Sequence, residues 1–284
     1  MKKQLIVLFS LFSITLSVSA QKEYKLAKSS GKLNLNISGA VIEGYTGNEI
    51  IFSSPKAKLE ELDERAKGLR SVSGSGFTDN TGLGIDVSEK GEEINVNLVG
   101  RNTKGILIIK VPQNIKISFK NNNVNQDELI LKNLKNEIEV SASYNKIKLE
   151  NNSGPMNVKT LYGSVDAIFN GEIKGPVSII SVYGYVDVSM PATTKANIEL
   201  GTSYGNLYLA EGFKITIDKK TTEKTDETAS GLNLVSTTGI GNFTGTINQL
   251  NIRGDKENLK GKINGGGADF IIKSNYKNVY LRDK

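Results

Sequence analysis

The sequence predicts an all-β fold, a β-solenoid with coils of about 18–21 residues and one short helical insertion. Three observations lead there. Glycine is plentiful (29), proline scarce (5) and asparagine abundant, a mixture suited to short strands joined by tight turns. One sequence unit recurs at near-constant spacing. Within each copy, apolar residues alternate with polar ones, the period of a strand buried on one face.

The elements follow in chain order. Lys2 and Lys3 precede an apolar stretch, Leu5 to Val18, that ends in Ser17-Val18-Ser19-Ala20. This is the pattern of a secretory leader over residues 1–20, with cleavage expected before Gln21. The stretch is short for a bilayer crossing and broken by serines, so no transmembrane segment is expected in the mature chain. Residues 21–105 read as an N-terminal β segment carrying a helical insertion near 55–70. There Ser54 can cap, Pro55 fits the first turn, and Leu59, Leu62, Ala66 and Leu69 share a face. That face is expected to pack over the end or side of the solenoid.

Residues 106–284 carry the repeats. The run Gly154-Pro155-Met156-Asn157-Val158-Lys159-Thr160-Leu161-Tyr162-Gly163-Ser164-Val165-Asp166-Ala167 returns 21 residues later as Gly175 to Val188. A further shift of 21 finds Ile198, Leu200, Thr202, Tyr204, Gly205, Leu207 and Leu209 in the same places. Eighteen residues before Tyr162 stand Ile138, Val140, Ala142, Tyr144, Asn145, Ile147 and Leu149 in the same roles. Ser274 to Leu281 echoes Thr202 to Leu209. One unit cannot bury its apolar face alone, whereas stacked units build a continuous core. Between the copies, residues 219–230 are rich in Lys, Thr, Glu and Asp and are expected to be a flexible excursion.

The residue after tyrosine is Asn145, Gly163, Gly184 or Gly205, so a left-handed corner is expected there. The tyrosines Tyr144, Tyr162, Tyr183 and Tyr204 should form an aromatic stack. The small residues Ala142, Thr160, Ser181 and Thr202, two positions earlier, are expected to let the rings tuck inward. The alternative is an exposed row serving as a carbohydrate platform.

Composition excludes several chemistries. With no Cys and no His, disulfides, thiolate or imidazole metal sites and His-based triads are absent. Of the net charge of +6, the leader supplies two, and the remainder is spread rather than gathered into the basic stripe of a nucleic-acid binder. Asp166 and Asp187 share one repeat position and could stack about 5 Å apart, a spacing a retaining glycosidase or a calcium site could use. Lys148 beside Asp166 makes a cross-strand ion pair the preferred reading. Gly265-Gly266-Gly267-Ala268-Asp269 reads as a tight turn rather than a calcium repeat. No catalytic, cofactor-binding or metal-binding residue is assigned, and no cofactor is expected.

Gly105-Ile106-Leu107-Ile108-Ile109-Lys110-Val111-Pro112, then Ile115-Lys116-Ile117, then the Tyr-Gly-x-Val-x-Val turns resemble the bacterial putative-adhesin family. Ala66-Lys67-Gly68-Leu69 with Asp79-Asn80-Thr81-Gly82-Leu83-Gly84 is similar to its N-terminal part, so the likeness spans roughly residues 30–284. The resemblance implies a right-handed β-helix, an envelope location and an adhesive role without a catalytic motif. The expected function is a secreted cell-envelope adhesin or interaction module in the periplasm or at the cell surface. Its partner would be an envelope or host-surface glycan or protein. A carbohydrate-active β-helix enzyme and a periplasmic structural or signalling accessory are the alternatives.

Overall fold

A computed structural model describes residues 22–54, 64–99, 106–124, 127–218 and 257–284. Among them nearly all the regular structure is strand. The N-terminal part supplies β1 (Lys22–Leu26), β2 (Ser30–Asn36), β3 (Ala40–Tyr45), β4 (Ile50–Ser54), β5 (Ile85–Lys90) and β6 (Glu93–Leu98). Then come β7 (Leu107–Pro112), β8 (Asn114–Asn121), β9 (Leu129–Lys132), β10 (Ile138–Ala142), β11 (Ile147–Glu150), β12 (Met156–Thr160) and β13 (Val165–Ile168). β14 (Val177–Ser181), β15 (Val186–Met190), β16 (Ala196–Thr202) and β17 (Leu207–Leu209) continue the pattern. β18 (Ile215–Ile217), β19 (Glu257–Ile263), β20 (Ala268–Ser274) and β21 (Val279–Asp283) complete it.

These strands form two sheets of ten and eleven strands, and neither closes into a barrel. From β8 to β17 the chain alternates between them, so each repeat unit is a rung with one strand in each sheet. Neighbouring rungs pair in parallel and in register: Val140 lies beside Val158, and Val158 beside Ile179. In the facing sheet Leu149 lies beside Ala167, and Ala167 beside Val188. All of these are buried, and the polar residues between them are more exposed. Period-2 alternation places one residue set in a single apolar layer between the sheets, and its removal from water is the main force holding the rungs. Strands from 22–98 and from 107 onward share these sheets, with β2 between β6 and β8 and β3 between β7 and β9. Antiparallel pairing is confined to the sheet ends, in β1·β4·β7, β5·β6 and β16·β19·β18.

One feature departs from the linear order of the repeats. The rung β16–β17 does not stack on β14–β15. The C-terminal rung β20–β21 lies between them, with β20 parallel to both β14 and β16 and β21 parallel to both β15 and β17. Ile272 sits between Ile179 and Leu200, and Ser274 between Ser181 and Thr202.

The Tyr-Gly corner also differs from expectation. Gly163, Gly184 and Gly205 are not among the residues with positive φ, and neither is Asn145. Glycine is required there because the rungs approach closely. A Cβ on Gly184 would fall well within 3 Å of the Gly163 carbonyl and the Ser164 nitrogen. At Gly163 it would overlap the Asn145 carbonyl, and at Gly205 the Lys277 carbonyl. At the equivalent place the Asn145 side chain donates to the Ser38 and Asp127 carbonyls. The left-handed corner lies on the opposite side of the rung, at Asn133 (φ 58°) and Asn151 (φ 55°).

The helix expected over 55–70 is not present in its described part. Residues 55–63 lie outside the described residues, and Glu64–Ala66 forms a single 3-10 turn with no buried residue. Gly68 at φ 81° ends it, because a left-handed residue cannot continue a right-handed helix, and Leu69 is 73% exposed rather than packed on the core. The excursion expected at 219–230 lies outside the described residues.

Candidate functional site

The corner leading from the eleven-stranded to the ten-stranded sheet carries the most distinctive surface. In four of the five rungs the strand ends on a buried hydroxyl, Thr160, Ser181, Ser274 or Thr202, and in the Tyr144 rung it ends on Ala142. That hydroxyl works in two directions. Ser181 Oγ accepts from the Gly184 N–H (2.9 Å) and donates to the Gly163 carbonyl of the rung below (2.8 Å). Ser274 Oγ accepts from the Lys277 N–H (3.0 Å) and donates to the Gly184 carbonyl (2.8 Å). Thr202 Oγ1 accepts from the Gly205 N–H (3.0 Å) and donates to the Lys277 carbonyl (3.0 Å). These residues therefore zip the corners together rather than making room for rings.

The zipper fixes the tyrosines at rung spacing. Their order is Tyr144, Tyr162, Tyr183, Tyr276, Tyr204, with successive ring centroids 4.8, 5.0, 4.6 and 4.9 Å apart and planes within 13° of parallel. Tyr276, from the inserted rung, separates Tyr183 from Tyr204. The rings do not tuck inward: Tyr162, Tyr183, Tyr276 and Tyr204 are 48%, 41%, 41% and 51% exposed. The expectation assumed that strand alternation runs on to the tyrosine. The strands end at Thr160 and Ser181, and beyond the last ladder position parity no longer decides direction. Each inner ring has a neighbour on both faces, so the row presents ring edges and phenol groups rather than flat faces. Tyr276, and then partial burial and Tyr162, raise the pKa of the Tyr183 phenol above the ordinary range.

Around the corner, the outer face of the ten-stranded sheet gathers the acidic candidates. Asp166 and Asp187 are register neighbours, as the repeat implies. Each has its own cation. Lys146 lies 3.2 Å from Asp166, and Arg282 grips Asp187 with both Nε (2.8 and 3.0 Å) and Nη2 (2.9 Å). Lys148 is beside Asp166 in register but its ammonium pairs with Glu128 at 2.8 Å. Asp187 is followed in the sheet by Tyr280 rather than Tyr208, because of the inserted rung. Tyr208 and Tyr280 stack at 5.2 Å, and the Arg282 guanidinium lies 5.1 Å from the Tyr280 ring centre.

This arrangement disfavours acid–base chemistry. Each carboxylate is taken up in an ion pair with its own cation rather than left open on the surface. Among the described residues, no group of three or more acidic side chains is placed to hold a metal. Gly265 and Gly266 have positive φ, in a turn where Asp269 accepts from Asn197 Nδ2 at 2.8 Å. No helix among the described residues is long and apolar enough to cross a membrane.

No protein-family model and no curated protein matches this chain. Solved structures similar to it include a putative cell adhesion protein from Clostridium sporogenes, 15% identical, covering 93% of this chain and 100% of the other with a TM-score of 0.41. A putative adhesin from Bacteroides fragilis is 12% identical, covers 94% of this chain and 98% of its own, and has a TM-score of 0.38.

Proposed function

We propose that this chain is an exported cell-envelope interaction module of the putative-adhesin family, built on a right-handed β-solenoid and working without catalysis. The observation that carries the reading is the row of five tyrosines, four of them exposed, at regular spacing on a zipped corner. Tyrosine combines a large apolar body with a polar tip and loses little side-chain entropy on contact, which suits it to recognition surfaces. Here the stack immobilises the rings in advance, so an arriving partner has less ordering to oppose it. The covered faces favour a partner that meets ring edges and phenol groups, such as a polysaccharide or protein of the envelope or host surface. The charge-paired state of Asp166 and Asp187 supports the absence of catalysis.

The test compares mature protein with a Tyr162→Ser/Tyr183→Ser/Tyr276→Ser variant for binding to arrayed glycans and immobilised envelope proteins, alongside protease shaving of intact cells. Binding lost in the variant, with a protease-accessible native protein, is the expected result. Equal binding by the variant would sink the role of the row. Complete protection on intact cells would move the protein to a periplasmic structural role.

A further inference from the structure

The tyrosine row has a reactivity separate from its contact surface. The chain has no Cys and no Trp, and of its three methionines Met156 and Met190 are buried while Met1 belongs to the expected leader. The exposed phenols are therefore the most readily oxidised side chains described on the surface. Eight of the ten tyrosines of the chain lie on this corner and the adjoining sheet face. Five form the row with centroids 4.6–5.0 Å apart, and Tyr208 with Tyr280 repeats the arrangement at 5.2 Å. This spacing keeps each ring of the row beside its neighbours from adjacent rungs.

We propose that this row is a site of oxidative dityrosine cross-linking, joining adjacent rungs through a peroxide and a peroxidase-type one-electron catalyst. Each of two neighbouring phenols loses one electron and one proton. The two ring radicals form a carbon–carbon bond between ortho positions, and the displaced ring hydrogens move to the phenol oxygens. Hydrogen peroxide accepts the two electrons and two protons and becomes two waters. Each link therefore removes two hydrogens from the protein. Because the rings are exposed, they can tilt to close the bond without disturbing the apolar layer beneath.

The order of the row gives the modification a structural consequence. Tyr276 belongs to the inserted C-terminal rung, and its ring lies between those of Tyr183 and Tyr204. A link on either side ties that rung to a neighbour from which it is far removed in sequence. Constraining such a distant pair limits the unfolded chain most, as a long-loop disulfide does, and this chain has no cysteine to make one.

The experiment treats folded mature protein with hydrogen peroxide and a peroxidase, follows dityrosine fluorescence, and maps linked peptides by mass spectrometry. Expected are peptides paired through Tyr144–Tyr162, Tyr162–Tyr183, Tyr183–Tyr276 and Tyr276–Tyr204, each lighter by two hydrogens, with the protein still monomeric on a denaturing gel. Tyr24 and Tyr45, which stack on no other tyrosine, should stay unlinked, and protein oxidised in urea should lose the pattern. Tyr276→Phe keeps a ring in the stack but removes the phenol. It should abolish both links made by Tyr276 and leave Tyr144–Tyr162 intact. Links chiefly between separate chains, links at Tyr24 or Tyr45 as frequent as in the row, or an unchanged pattern in Tyr276→Phe would each overturn the proposal. None of these outcomes depends on whether the row binds a partner.

Discussion

Gly184→Ala isolates the reason for glycine at the corner. Its φ is not left-handed, so alanine meets no backbone strain. What it meets is backbone: the added Cβ would lie well within 3 Å of the Gly163 carbonyl and the Ser164 nitrogen, neither of which is the flexible end of a side chain. Forcing a methyl into packed surroundings costs about 1–3 kcal/mol. Relief requires the two rungs to part, which weakens the hydrogen bonds from Ser181 Oγ to the Gly163 carbonyl and from the Tyr183 N–H to the Leu161 carbonyl, each worth about 1 kcal/mol. Stiffening of the unfolded chain returns about 0.4–1 kcal/mol. The expected net loss is about 2–4 kcal/mol, or roughly 5–15 °C in Tm for a chain of this size. Gly171→Ala is the control, because a Cβ there meets nothing within 4 Å and its φ is unremarkable. Thermal and urea unfolding of Gly184→Ala, Gly184→Asn and Gly171→Ala decides the matter. Both Gly184 variants should lose stability alike and Gly171→Ala should not. If asparagine at 184 is tolerated while alanine is not, the left-handed explanation returns. If Gly184→Ala matches Gly171→Ala, the close approach is not limiting.

Asn145→Gly should be strongly destabilising, by about 2–4 kcal/mol in urea unfolding. The Asn145 amide is buried, accepts from Asn121 Nδ2 at 2.8 Å, and donates to the carbonyls of Ser38 (2.5 Å) and Asp127 (2.6 Å), so its loss strands several buried groups. Tyr183 should ionise at higher pH than a free tyrosine in an ultraviolet titration, and Tyr276→Phe should bring it back toward the ordinary value of about 10. The folded state holds this proton more tightly than the unfolded one, so the contribution is complete below about pH 10 and is lost as pH rises through the folded-state value.

Much of the scaffold was legible because alternation is a strong signal. Met156, Val158 and Thr160 are buried while Asn157 and Lys159 between them are less so, and the same reading holds for Val186 to Met190. The tyrosine stack was legible from its spacing, but its direction was not. Signals for two corrections were present. Thr160, Ser181, Thr202 and Ser274 are not merely small; all carry a hydroxyl, which serves a hydrogen-bond zipper better than a ring pocket. Asn133 and Asn151 recur at the 18-residue spacing of Tyr144 and Tyr162, marking the left-handed corner on the other side of the rung. The Lys148–Asp166 pairing was right in register and wrong in partner, because a long side chain reaches diagonally and Lys146 arrives first.

The inserted rung was not legible, and the reason is physical. Stacking of like rungs depends on the pattern they share rather than on features that distinguish one neighbour from another. Ser181, Ser274 and Thr202 offer the same hydroxyl, Val177, Phe270 and Ile198 the same apolar layer, and Tyr183, Tyr276 and Tyr204 the same ring. These shared features do not rank one order of the rungs above another. The difference lies in the ends. Strand β19 runs antiparallel against the far side of β16 and leads through the turn at Gly265 and Gly266 directly into β20 on its near side. The short connection from Ile263 to Ala268 thus carries the chain across β16 and delivers the last rung into the stack. Insertion is decided by that turn and by the antiparallel strand before it, features that lie outside the repeat unit from which the fold was read.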